Sequence, residues 1–181
     1  AVIDFVKSQG FKSVRIPCSW FVHMDGNYNI DPKWMDRVQE VVDYAYDNGL
    51  YVVINIHHDG GDDPQGGTWI NCAATGEEQA AIQARFRRMW EQIAARFADY
   101  DQHLLFEGMN EIHEHGNWNT PDDYGVMKNV NAYNQLFVDA VRAAGGRNAD
   151  RILIASGYNT NINITTDPAS GWQLPTDPVK D

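Results

Sequence analysis

The sequence predicts an α/β protein made of consecutive βα units on a parallel sheet. Short β-branched or apolar runs alternate along the chain with amphipathic helical stretches, the pattern of strands joined by crossover helices. The connections are also unequal. Those after strands, spanning about 17–31, 57–76 and 110–130, are long and hold His, Trp, Asn and acidic residues, whereas those before strands are short and plain. Barrel enzymes keep their chemistry at the C-terminal ends of the strands, so this asymmetry marks one working face. An open doubly wound sheet suits the same asymmetry and stands as the alternative.

Each element has its own signal. Val2, Phe5 and Val6 followed by Gly10 read as the last turns of a helix closed by a C′ glycine, so the chain is expected to start inside an element. Val14-Arg15-Ile16-Pro17 is a short strand ended by proline. Asp31-Pro32 supplies an N-cap with proline at the first helical position. Trp34, Val38, Val41, Val42 and Ala45 share one face of that helix, which stops at Asn48-Gly49. Tyr51–Ile56 is a near-continuous apolar run, as a parallel strand covered on both faces requires.

Thr75 and Glu78 have capping-box spacing, and Ile82, Phe86, Met89, Ile93 and Phe97 then recur at helical intervals. Leu104–Met109 is the third strand. After a loop rich in Asn, His and Gly comes a helix bearing Tyr133, Phe137, Val141 and Ala144, closed by Gly145-Gly146. Arg151–Ala155 is the fourth strand. The remainder, with Pro168, Pro175 and Pro178, reads as irregular chain.

The bulk properties narrow the function. The 181 residues, 43% hydrophobic, are enough to bury a substantial core in one domain. Twenty-five acidic against 14 basic residues give a net charge of −11, which repels phosphate backbones and anionic membranes, so neither nucleic acid nor a membrane is expected as partner. Runs such as Tyr51–Ile54 and Leu104–Phe106 fall far short of the roughly 20 apolar residues of a membrane span. Ala1–Phe5 lack a basic n-region, so these residues are expected to hold no targeting peptide. Cys18 and Cys72 form no zinc or CxxC pattern and read as buried thiols. Six Trp and eight Tyr are an excess that suits either sugar stacking or core packing.

Alternation along the third strand puts Leu105, Glu107, Met109 and Glu111 on one side and Phe106, Gly108 and Asn110 on the other. Two carboxylates on one face of a buried strand are costly unless partnered or functional. Arg15, a lone charge in the first strand, is the candidate partner, and an Arg15–Glu107 ion pair that merely holds the sheet is as good a reading for Glu107 as a catalytic one. Glu111, at the strand's end beside the amide of Asn110, is better placed for chemistry. His57 shares its face with Asn55, while His58 points away if the extended geometry continues. A metal site built from His57, His58, Asp59, Asp62 and Asp63, or from His113 and His115 around Glu114, is the competing chemistry, though neither set has a recognised ligand spacing.

Taken together, Val14-Arg15-Ile16-Pro17, Ile54-Asn55-Ile56-His57-His58 and Leu104-Leu105-Phe106-Glu107-Gly108-Met109-Asn110-Glu111 resemble glycoside hydrolases of family five, cellulases above all. Trp34–Gly49 and Met89-Trp90-Glu91-Gln92-Ile93-Ala94 also look like that family's second and third barrel helices. The resemblance runs over essentially the whole chain. It implies half of a (β/α)8 barrel, four parallel βα units matching strands two to five, as a single partial domain over residues 1–181 that lacks the first strand and the last three. A complete barrel takes roughly 250 residues.

By that resemblance the chain is a retaining glycosidase of the endo-β-1,4-glucanase type, secreted, without metal or other cofactor. Glu111 is the acid/base, Asn110 holds the sugar hydroxyl next to the scissile bond, and Arg15 and His57 position carboxylates and substrate. His58, Trp20, Trp69 and Trp118 are candidate substrate contacts, each tryptophan equally suited to packing its loop. Ile112 stands where the family usually has proline, a departure expected to alter the turn more than the chemistry. The family's nucleophile glutamate lies on the seventh strand, so it is expected outside this chain. The tail Leu174–Asp181 resembles the loop into the sixth strand. A complementary half-barrel or a second copy is therefore expected as partner beside the β-glucan. The rivals are a half-barrel oligomer that binds glucan with little or no hydrolysis, a metal-dependent hydrolase, and a scaffold that binds no sugar.

Overall fold

The computed structural model describes residues 2–114 and 116–179. Four strands, β1 (Ser13–Ile16), β2 (Tyr51–Asn55), β3 (Leu104–Glu107) and β4 (Leu153–Ile154), form one sheet in the order β1-β2-β3-β4, all parallel. Spatial order follows chain order without reversal. A doubly wound sheet reverses direction at a switch point, so this order removes that alternative over the described strands. Five helices accompany them: α1 (Val2–Ser8), α2 (Pro32–Tyr46), α3 (Gly76–Arg96), α4 (Met127–Ala143) and α5 (Ile162–Thr166). Among the described residues no helix is long and apolar enough to cross a membrane.

The register separates two faces. Val52, Ile54, Leu104 and Phe106 lie on the face covered by helices and are fully buried. Trp90 and Phe97 at α3 meet Phe106 with ring centroids 5.4 and 6.4 Å apart, and Phe137 of α4 packs on Trp90 at 4.5 Å. On the opposite face stand Arg15, Val53, Asn55, Leu105, Glu107 and Ile154, of which Val53 and Leu105 are only half-buried. The hydrophobic core thus sits under the helices, and the other face stays open.

The caps explain the helix boundaries. Asp31 accepts from the Lys33 N–H at 2.9 Å with Pro32 opening α2, and Gly49, at φ +72°, ends the turn that follows. Met35 joins Val38, Val42 and Ala45 on the buried face, while Trp34 and Val41 are half-buried. At α3 the expected capping box does not close: Thr75 occupies the cap position, but its side chain accepts no hydrogen bond. The fourth strand is shorter than Arg151–Ala155, because Arg151 turns inward and is buried, donating to the carbonyls of Phe97, Tyr100, Asp101 and Leu104 and to Asn148 Oδ1.

The chain after β4 is more ordered than its prolines suggest. Asn161 caps α5 by accepting from Asn163 and Ile164 N–H. A ladder of α4 side chains then clasps the tail: Asn131 pairs with Gly171 and Gln173, Gln135 with Thr176, and Arg142 makes a two-pronged ion pair to Asp177 at 2.9 and 2.6 Å. Lys180 and Asp181, the last residues of the expected strand-six approach, lie outside the described residues. Cys18 and Cys72 are free and buried, and burial pushes both thiols up to about 12.

Candidate active site

The three long loops after β1, β2 and β3 converge at one end of the sheet. There Arg15 reaches across β2 to β3, its Nε and Nη2 donating to the two oxygens of Glu107 at 2.6 and 2.8 Å, a two-pronged pair. The carboxylate of Glu107 is buried and the Arg15 side chain is 40% exposed. The hydrogen bond to Glu107 raises the Arg15 pKa further. Arg15 Nη2 also donates to Asn110 Oδ1 at 2.7 Å.

That last bond corrects the strict alternation expected along the third strand. The ladder ends at Glu107, and the chain turns so that Asn110 reaches the same guanidinium as Glu107. Beyond Asn110 the Ile112 N–H donates back to the Asn110 carbonyl at 3.2 Å, a three-residue turn with Glu111 at its centre. Proline at position 112 would have no N–H for this bond. Glu111 is exposed, and its carboxylate has no hydrogen-bond partner among the described residues.

Asn55, fully buried at the end of β2, fixes His57. Its Oδ1 accepts from the Cys18 N–H at 3.2 Å, which leaves Nδ2 facing His57 Nδ1 at 3.2 Å. The ring nitrogen therefore accepts, and the proton of neutral His57 sits on Nε2. Burial, then His58 and Arg15, hold the His57 pKa below 6.5. His58 does not point away: the chain has left the strand, and the two rings meet edge-on at 4.5 Å.

The tryptophans part company. Trp20 and Trp69 are buried and unavailable to a sugar, because both are spent on loop packing: Trp20 Nε1 donates to the Asn55 carbonyl and Trp69 Nε1 to Asp59 Oδ1, each at 2.8 Å. Trp118 is 55% exposed and lies on the His113 ring with centroids 4.1 Å apart. With His57, His58, Gly60, Glu111 and His113 it lines an open groove of about 410 Å³.

Asp59, which the sequence offered only as a member of the competing metal set, has a structural role instead. It is buried and accepts from the Phe21 N–H at 3.0 Å, the Trp20 N–H at 3.5 Å and Trp69 Nε1, so its oxygens tie the first loop to the second instead of facing a metal. Burial raises its pKa. Glu114 likewise accepts from the Asp122 N–H, and His113 donates Nδ1–H to the Glu111 carbonyl at 2.8 Å. His115 lies outside the described residues. Among those described, no three His, Cys, Asp or Glu side chains are grouped to hold a metal ion. The third loop is braced by Tyr158, whose hydroxyl accepts from the Glu114 N–H and donates to the Asn117 carbonyl, and by Asn159, whose N–H meets the Ile112 carbonyl at 2.8 Å. No sequence pattern marked Tyr158 or Asn159.

The family model for cellulase, glycosyl hydrolase family 5, matches residues 1–178. The chain belongs to glycoside hydrolase family 5. Endoglucanase A of Paenibacillus barcinonensis is 44% identical over 180 residues, covering 97% of this chain and 43% of that protein. A family 5 xyloglucanase from Paenibacillus pabuli, solved in complex with ligand, is 46% identical with a TM-score of 0.90 and covers 97% of this chain and 48% of that one. A GH5-4 broad-specificity endoglucanase from Ruminococcus champanellensis with bound cellotriose is 41% identical with a TM-score of 0.85, covering 98% and 49%. The chain thus spans less than half the length of these family 5 proteins. Its four parallel strands match the N-terminal half of their (β/α)8 barrels.

Proposed function

We propose that this chain carries the acid/base half of a retaining β-1,4-glucanase site, with Glu111 as the proton donor. The observation that carries this reading is the contrast between its two strand-end carboxylates. Glu107 is consumed by Arg15, whereas Glu111 stands in the open groove without a hydrogen-bond partner among the described residues. A donor must reach the glycosidic oxygen, and Glu111 alone of the two can.

The neighbouring groups fit. Because Arg15 takes Asn110 Oδ1, the amide Nδ2 is left to donate to a sugar hydroxyl. His57 offers Nε2–H to the groove, and Trp118 offers an exposed ring to a sugar face. Retention requires a second carboxylate roughly 5–5.5 Å from the first, attacking the anomeric carbon while Glu111 protonates the leaving oxygen. We assign that nucleophile to the family's seventh strand, outside the four strands here. The substrate class is a β-glucan, in keeping with the cellotriose and xyloglucan relatives.

The test is turnover of β-glucan by the chain alone and joined to the C-terminal half of the Paenibacillus pabuli xyloglucanase, with and without EDTA. Expected is retaining hydrolysis in the joined protein, insensitive to EDTA and lost in Glu111→Gln. Hydrolysis that survives this substitution, or that EDTA abolishes, overturns the reading. Glucan binding without turnover in both forms favours a half-barrel that only binds.

A further inference from the structure

We propose that Glu111 is aimed through its own peptide group, with Gly60 and His113 as the positioning residues. The proposal rests on Glu111 being the acid/base. A carboxylate without a hydrogen-bond partner among the described residues is not oriented by its oxygens, so its direction is set where the side chain leaves the backbone.

The two peptides that follow Glu111 are held from several sides. Ile112 N–H closes the turn onto Asn110, and Asn159 N–H holds the Ile112 carbonyl at 2.8 Å. Gly60, in the loop after β2, lies directly against the same peptide. A Cβ at position 60 would stand 2.4 Å from the Glu111 carbonyl oxygen, 3.1 Å from its carbon and 3.2 Å from Ile112 Cα. Gly60 is absent from the positive-φ glycines, so close approach and not backbone conformation requires glycine here. Alanine would fit the backbone yet fall about 1 Å short of van der Waals separation, and the atom it meets is main chain that cannot swing aside.

His113 supplies the matching pull. A carbonyl only accepts, so His113 Nδ1 must carry a proton to bond the Glu111 oxygen at 2.8 Å. The ring is buried and lies against Trp118 at a 35° tilt, which restrains its plane. Gly60 therefore limits how far the Glu111 carbonyl can move, and His113 draws it into place, while Trp118 rests on the same imidazole.

The variants are Gly60→Ala, His113→Leu and His113→Asn, whose amide nitrogen can replace Nδ1. Measured in the β-glucan-hydrolysing joined protein, the first two should lower kcat about 100-fold with KM changed less than about threefold, the split expected of a misplaced catalytic group in an intact binding groove. His113→Asn should recover most of the loss. Nitrogen-15 NMR of the unsubstituted chain, which needs no turnover, should show His113 protonated at Nδ1. Wild-type kcat in Gly60→Ala, equal rates in His113→Leu and His113→Asn, or an unprotonated Nδ1 would overturn the proposal. An active Glu111→Gln would instead sink the acid/base reading beneath it, so the two failures are distinct.

Discussion

At the scale of single residues, orientation is inherited from amides and backbone more than from charge. Asn55 decides the tautomer of His57, and Arg15 decides the flip of Asn110. Burial and cationic neighbours depress the His57 pKa, which has a consequence for stability. Above about pH 6.5 the imidazole is neutral in both folded and unfolded chains; below it the unfolded chain takes up a proton that folded His57 resists, so stability is lost as pH falls. An NMR titration should place its midpoint below 6.5, and a midpoint at or above that value would refute the assignment. Glu111→Gln should cut turnover by about 100- to 10,000-fold, since an amide cannot donate the acid's proton, with little change in the melting temperature because the side chain is exposed. Arg15 could be singled out in the sequence as the lone charge of its strand, and His57, Asn110 and Glu111 as polar residues just after apolar strand runs; the structure brings them to one end of the sheet. The role of Asp59 was not legible, because nothing in a sequence says that a carboxylate will be met by N–H groups from residues 20, 21 and 69.

At the scale of elements, the four strands and three main helices were readable from periodicity, and the starts of α2 and α3 from their caps, but the strand ends were not. β3 ends at Glu107, two residues before the apolar pattern stops, and that shortfall brings Asn110 round to Arg15. α5 went unseen because its five residues are too few to show a period. Arg151 read as the start of a strand, yet it is a buried cation whose guanidinium is held by four carbonyls and one amide oxygen and lies over Phe106 at 4.6 Å. Burial lowers its pKa to about 10, so it is still charged at neutral pH. Arg151→Met should cost about 3 kcal/mol or more in urea unfolding, because several buried carbonyls lose their donors at once. An unchanged unfolding midpoint would contradict that account. Gly108→Ala should cost about 1–3 kcal/mol, since a Cβ there would stand 2.8 Å from the Phe137 ring and push α4 off β3.

At the scale of the whole molecule, two edges of the sheet are unpaired among the described residues, β1 on one side and β4 on the other. The face carrying Val53, Leu105 and Ile154 is open, and Ile152 and Leu174 are exposed near the β4 edge. Several hundred Å² of apolar surface left in water forfeits on the order of 10 kcal/mol, comparable to the stability of a domain. As an isolated polypeptide, residues 1–181 are therefore predicted to associate with a second copy or with a completing half. Sedimentation equilibrium showing a monodisperse, cooperatively folding 20.5 kDa monomer at micromolar concentration would refute this.

The bracing of the groove bears on how such association proceeds. Asp59 ties the loops after β1 and β2 together, and Tyr158 and Asn159 tie the loop after β3 to the chain after β4, all with residues of this chain. A completing half would then meet a preformed template with few loops left to order. Calorimetry should report a heat-capacity change matching the apolar area of the seam and nothing larger, whereas an excess negative value would mean that the groove is assembled only on docking.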